Sequence, residues 1–191
     1  MSMVKGRVEI RKIVFPSNRE ELILSTNNLV VYTGREFVLP SLLKYDNPNI
    51  TPKASWGLYF WSVGNGGLLN PLDPLTRIPP NPSDVGLNNE LSGLDINDPN
   101  TTPDGRKRRF SNVTFVQDTI NDNKYLITSL SMYIGSSELV GSSISEAGLW
   151  ISNDSNAKFP GLQHVLFSKV TFNPVQKASS FSLVITWYLY T

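Results

Sequence analysis

The sequence contains no cysteine and a single histidine, His164. Without cysteine the chain has neither a disulfide nor a thiolate ligand for a metal. One histidine is too few for the usual zinc sites and for the catalytic constellations that depend on histidine. We therefore predict no metal and no cofactor. We expect His164 to be a satisfied or exposed side chain rather than a ligand.

Charged residues and long apolar runs are also scarce. Asp, Glu, Lys and Arg make up 17% of the 191 residues, and the net charge is +1. A nearly neutral chain has no long-range attraction for nucleic acid or for an anionic membrane, so neither is expected as a partner. No stretch reaches the roughly 18 continuous apolar residues of a membrane-spanning helix, so no membrane span is expected.

Turn-forming residues are abundant instead, with 13 glycines and 13 prolines. Between them the chain alternates apolar and polar residues, which is the pattern of β-strands. Several strands at short spacing predict one all-β domain over residues 1–191, an antiparallel β-sandwich or a jelly-roll-like fold. The strand-like segments are residues 4–15, 28–32, 56–63, 109–117, 124–134, 144–151, 164–172 and 181–190.

Two segments depart from this pattern. Thr33 and Glu36 have the spacing of a capping box, and apolar residues follow at helical spacing, which predicts one short helix near 34–45. Residues 64–108 carry seven of the 13 prolines and show almost no periodicity. A structureless loop of this length is uncommon in a compact domain. The segment is therefore disordered or an extended arm held by a partner, and we predict that it is mobile in the isolated chain and ordered in a larger assembly.

Four adjacent cations, Arg106, Lys107, Arg108 and Arg109, follow the proline-rich segment. They could contact phosphate or a carboxylate-rich partner surface. The alternative is a solvated loop that leads into a strand, and the near-zero net charge favours it. If the run docks on an acidic partner, these four residues are assembly contacts.

The last strand-like segment, Phe181 to Tyr190, has two different faces. One face is apolar throughout and contains Trp187. The other begins polar with Ser182 but carries Tyr188 and Tyr190. A half-exposed strand keeps its outer face polar. We therefore predict that this face is covered within the domain or by a neighbouring subunit, which makes Tyr188 and Tyr190 candidate assembly contacts.

Other side chains leave further functions open. Glu146 shares a face with apolar residues by alternation, so it must be paired or must reach solvent. A structural ion pair, with a cation such as Lys177 or one of the loop arginines, is favoured over a catalytic acid. The aromatic residues of the strands could form a sugar-binding platform, although strand aromatics more often belong to a core or an interface. A hydrolase with paired carboxylates is the least favoured class.

The order of several short motifs resembles virion proteins of tailed bacteriophages. An early segment, Leu29-Val30-Val31-Tyr32-Thr33-Gly34-Arg35-Glu36, leads into the short helix, and a strand ends in the turn Val63-Gly64-Asn65-Gly66. A proline-rich stretch closes on Asp84, Leu87 and Glu90. The insertion between Gly66 and Asp84 is longer and richer in proline than the plan of that family.

The second half of the chain continues the resemblance. An Ile-x-Glu-Ala-Gly-Leu element spans Ile144 to Leu149, and a Val-Thr-Phe-x-Pro segment spans Val170 to Pro174. Lys177 and the final strand with Thr186-Trp187 complete the plan, which covers about residues 28–190. The resemblance implies a structural role and names no catalytic residue.

The resemblance implies a non-enzymatic component of the virion, located on the capsid as decoration or at the neck, tail or baseplate. Its expected partners are copies of itself, possibly as a trimer, and other virion proteins. Closed homo-oligomers are the general expectation for such proteins. The alternative function is a carbohydrate- or receptor-binding module at the particle surface. Exposure distinguishes the two, because a sugar platform holds coplanar rings in solvent whereas an assembly protein buries them.

Overall fold

The structure is a computed structural model that describes residues 5–30, 56–70, 73, 76–120 and 123–190. Within these residues nine strands form one antiparallel sheet, and no helix occurs. The all-β fold class is thus as predicted. The short helix expected near 34–45 lies outside the described residues.

The strands run in the order β4-β3-β7-β8-β2-β1-β9-β6-β5 across the sheet. Their bounds are β1 (Lys5–Val14), β2 (Arg19–Val30), β3 (Gly57–Gly64), β4 (Arg108–Arg109), β5 (Asn112–Ile120), β6 (Asn123–Ile134), β7 (Ser143–Ser152), β8 (His164–Gln176) and β9 (Phe181–Tyr190).

The sheet curls because its two end strands are consecutive in the chain. β4 and β5 are separated only by Phe110 and Ser111. The Phe110 amide donates to the Tyr59 carbonyl of β3 at 3.3 Å, and the Ser111 amide donates to the Ser131 carbonyl of β6 at 3.0 Å. One short segment therefore contacts strands near both ends of the strand order, which bends the sheet into a half-barrel.

The main core lies inside this curl. Val63 of β3 and Leu130 of β6, from opposite halves of the sheet, belong to one cluster of buried residues. The alternation predicted for the last strand is confirmed, since Leu183, Ile185 and Trp187 are all buried in this cluster. Truncating a buried aromatic residue of this size typically costs about 3–5 kcal/mol.

We call residues 64–108 the cover segment. Among its described residues, Leu94 belongs to the main core, whereas Leu87 lies against the outer face of β3, β7 and β8. That face carries a second apolar cluster of Phe60, Trp150 and Leu166, against which Leu87 of the cover segment packs. β7 is consequently buried on both faces from its second residue to its last. Contacts within the same chain thus hold these residues on the sheet, which offers an alternative to the predicted extended arm held by a partner.

Candidate functional site

A buried carboxylate attaches the start of the cover segment to β7. Glu146 is 0% exposed, and its side chain accepts hydrogen bonds from the backbone amides of Gly66 at 3.1 Å, Asn88 at 3.0 Å and Asn89 at 2.8 Å. A buried carboxylate is costly unless it is paired and hydrogen-bonded. These three amides provide the hydrogen bonds, and in turn they fix two turns of the cover segment.

The counter-charge is Lys169 of β8, which is 1% exposed. Its ammonium group lies 3.5 Å from Glu146 and 3.3 Å from Asp84, and it donates to the Asn88 side chain at 2.9 Å. Glu146 is opposite Thr171 in the ladder, so Lys169 is its diagonal neighbour on the same face. We call Glu146, Lys169 and Asp84 the Glu146 clamp. The expected ion pair exists, but its cation is Lys169 rather than Lys177 or a loop arginine.

Two glycines allow the close approach that the clamp needs. A Cβ on Gly64 would lie 2.5 Å from the Asn89 carbonyl oxygen and 2.5 Å from Glu146 Oε1. A Cβ on Gly66 would lie 2.6 Å from the Asn89 amide nitrogen. All three distances are shorter than real Cβ atoms show. The Gly-x-Gly turn singled out in the sequence is therefore explained by the approach of two backbone segments to one carboxylate.

Arg108 forms a second buried anchor, at the other end of the cover segment. Its guanidinium makes a two-pronged ion pair with Glu138, donates to Thr101 Oγ1 at 2.7 Å, and donates to the Tyr133 carbonyl at 3.2 Å. Burial alone raises the pKa of Glu138, but hydrogen bonds from Arg108 and from the Asp95 and Gly135 amides outweigh it. The pKa of Glu138 is therefore below its usual range, and the carboxylate stays charged.

The basic run is divided by these contacts. Arg108 is 8% exposed and paired inside the chain. Lys107 pairs with Glu90 at 2.8 Å and lies over the Trp150 ring at 4.3 Å. Only Arg106 and Arg109 present exposed side chains. The role of Arg106 and Arg109 as assembly contacts stays a prediction. Lys107 and Arg108 instead form ion pairs within the chain that hold the cover segment.

Tyr188 lies on the outer face of β9, between β1 and β6. Arg7 lies over its ring at 4.9 Å, and its hydroxyl is 3.4 Å from Glu9. Glu9 is 8% exposed because Arg7 and Arg11 flank it, each at 3.1 Å. Burial and the carboxylate of Glu9 raise the pKa of the Tyr188 hydroxyl. We call Arg7, Glu9, Arg11 and Tyr188 the outer-face cluster.

The outer-face cluster extends onto β6, where Tyr133 is 42% exposed and shares a hydrogen bond with Ser182. The backbone of Tyr190 pairs with Lys5 and Ile127, while its side chain lies outside the described residues. Sequence reasoning found Tyr188 and missed its neighbours. The sequence did contain a signal for them, because the period-two spacing of Arg7, Glu9 and Arg11 places three charges on one face of a strand.

The remaining features considered in the sequence are His164, a possible metal site and a possible membrane span. His164 lies with its ring centroid 5.1 Å from that of Phe60, in an edge-on arrangement. Among the described residues, no group of three or more acidic or histidine side chains is placed to hold a metal ion. The described part of the chain contains no helix long and apolar enough to cross a membrane.

No family model, curated protein or solved structure matches this chain. The site is therefore assigned from its geometry and from the motifs in the sequence. The geometry offers two features: the buried anchors that fix the cover segment, and the outer-face cluster that is open to solvent at Arg7 and Arg11, which are 44% and 39% exposed.

Proposed function

We propose that this chain is a non-enzymatic structural protein of a tailed-bacteriophage virion. In this proposal it associates with copies of itself, as a trimer by symmetry precedent, and docks on the capsid or on the neck or tail. The finer fold assignment, a sandwich or jelly-roll-like domain, belongs to the same proposal, with the two halves of the curled sheet as its two layers.

One observation carries the proposal: motif residues that are far apart in sequence meet at the Glu146 clamp. The Gly-x-Gly turn donates an amide to Glu146 at 3.1 Å, and Glu146 itself belongs to the Ile-x-Glu-Ala-Gly-Leu element. Asp84 reaches the same clamp through Lys169 at 3.3 Å. The motif order that resembles virion proteins thus has a shared structural purpose, which supports the resemblance as one of fold and role.

The outer-face cluster supports self-association. Tyrosine and arginine are enriched at protein interfaces because they combine apolar area with hydrogen-bonding ends. Here Tyr188 and Tyr133 lie on one open sheet face beside Arg7 and Arg11. A carbohydrate platform is less well supported, since Trp61, Trp150 and Trp187 are buried and Trp56 is half-buried.

Sedimentation analysis of the isolated chain tests the proposal. We expect the parent to sediment as a closed oligomer and the Tyr188→Ser variant to shift toward monomer with an unchanged fold. Val140→Thr is the matched control, because Val140 is 51% exposed in the connection between β6 and β7. If Tyr188→Ser associates like the parent, the outer face is not the interface.

A further inference from the structure

The sheet opens between β2 and β8. These strands pair at only two positions, Leu29 with Lys169 and Val30 with Ser168. If the register continued, Asn27 would lie opposite Thr171. Instead the strands separate and leave a pocket of about 360 Å³, whose walls include both residues. The described residues that line it are Thr26, Asn27, Arg77, Pro79, Pro80 and Thr171.

The cover segment explains why this opening is not closed by the chain that passes beside it. The Thr171 hydroxyl donates to the Ile78 carbonyl at 2.8 Å, which holds residues 76–80 next to β8. The two residues that follow are Pro79 and Pro80, and proline has no amide hydrogen to donate to a neighbouring strand. They can form an apolar wall of the pocket, but they cannot donate amide hydrogen bonds to the edge of β2.

With respect to the described residues, β2 therefore has an available edge beside the pocket. Among the described strands, β2 pairs with β1 along its length and with β8 only at its last two residues. A β-bulge leaves Ile23 without a partner on β1. Bulges disrupt strand pairing and blunt sheet edges. The regular part of the edge is thus the short stretch Leu24–Asn27, directly at the pocket.

Arg77 gives the pocket a chemical preference. Its side chain is exposed, and it takes part in none of the ion pairs formed by the described residues. Its backbone is fixed by a bridge to Leu68. A guanidinium is a strong, bidentate donor to carboxylates. In the part of the chain that the structure describes, the pocket thus combines a free strand edge, an apolar proline wall and one unpaired cation.

We propose that this pocket binds a short, extended peptide segment of a protein partner that carries a carboxylate side chain. The segment adds to the edge of β2 at Leu24–Asn27, packs on Pro79 and Pro80, and places its carboxylate at Arg77. This is strand addition to a sheet edge, in which backbone hydrogen bonds give affinity and side-chain pockets give specificity. The proposal goes beyond the virion assignment and does not depend on it.

The probe is a short peptide, blocked at both ends, in which threonine and valine alternate around one aspartate. We expect it to shift the NMR amide signals of Thr26 and Asn27 in the parent protein. Arg77→Gln should weaken binding roughly fivefold, the effect of losing one partly exposed ion pair. The same peptide with asparagine in place of aspartate should bind parent and variant equally. Arg106→Gln is the matched control and should change nothing.

Two further ligands separate strand addition from simple anion binding. A fully N-methylated version of the peptide keeps the carboxylate but has no amide hydrogens, so we expect it not to bind. Acetate should produce no comparable shifts at the same concentration. The proposal is overturned if the aspartate peptide does not bind, if the N-methylated peptide binds equally well, or if acetate alone reproduces the shifts.

Discussion

Single charged residues fix the architecture of this chain from inside. Glu146 is fully buried, yet three backbone amides and Lys169 surround its carboxylate. Lys177 is the opposite case, a buried cation surrounded by backbone carbonyls. It is 2% exposed, and its ammonium group donates to the carbonyls of Ser136, Ala178 and Phe181. Each buried charge thus fixes a loop against a neighbouring strand.

Replacing Lys169 with methionine should lower the free energy of unfolding by about 3 kcal/mol, because it leaves the buried carboxyl group of Glu146 without its cation. Urea denaturation measures this loss. The double variant Glu146→Gln, Lys169→Met should lose less than the two single losses combined, since the second change removes the uncompensated charge. Strictly additive losses would show that the two side chains do not act as a pair.

His164 should make the folded chain sensitive to mild acid. Burial, followed by the nearby charge of Lys107, lowers the pKa of His164 from 6.5 to about 4. Between these values the unfolded chain binds more protons than the folded chain, so stability rises with pH and falls as pH decreases through this window. We expect His164→Gln to flatten this part of the curve of unfolding free energy against pH. Parallel curves for parent and variant would contradict this account.

The sequence predicted the need of Glu146 for a partner but not the partner's identity. Alternation places the carboxylate on an apolar face, and burial then demands a cation. Which cation meets it depends on the register of β7 against β8, which puts Lys169 two positions from Thr171, the residue opposite Glu146. Lys177, the residue suggested by the sequence, lies just beyond the end of β8 and binds carbonyls instead.

At the scale of elements, the strands that could be predicted from the sequence are those with one apolar face. The final strand is β9 over Phe181–Tyr190, as the alternation predicts. β2 is much longer than the short apolar run at 28–32 that the sequence singled out. Its first half begins with Arg19, Glu20 and Glu21 and continues with exposed Leu22 and Ile23, so no clean alternation marks it. The first half of β2 pairs on one side only and contains a bulge, so it lacks the burial that produces a period of two.

The cover segment should resist proteolysis in the isolated chain, contrary to the expectation from its sequence. Proline-rich composition removes periodicity, but the Glu146 clamp holds the amides of Gly66, Asn88 and Asn89 to β7. Arg108 holds the other end of the segment to the connection after β6, through Glu138. We expect Glu146→Gln to accelerate cleavage within residues 64–108. Cleavage in the exposed connection near Phe159 serves as the internal control. Equal cleavage rates in parent and variant would show that the clamp does not hold the segment.

At the scale of the whole molecule, the chain encloses one core within a curled sheet and builds a second on its outer face. The cover segment protects β3, β7 and β8, whereas the outer face of β1, β9 and β6 carries the outer-face cluster. Within the described residues, one side of the sheet is therefore covered and the other is open. Under the proposed function, we expect the open side to meet a neighbouring copy or the larger scaffold.

Electron microscopy of purified phage particles, assembled with and without this chain, tests the central proposal most directly. We expect the chain in the particle and a defined loss of density at the capsid, neck or tail when it is omitted. Density for the chain in a closed ring or trimer, with Tyr188 at a subunit contact, would agree with the geometry of the outer face. Identical particles in both preparations, with the chain absent from each, would contradict the proposal.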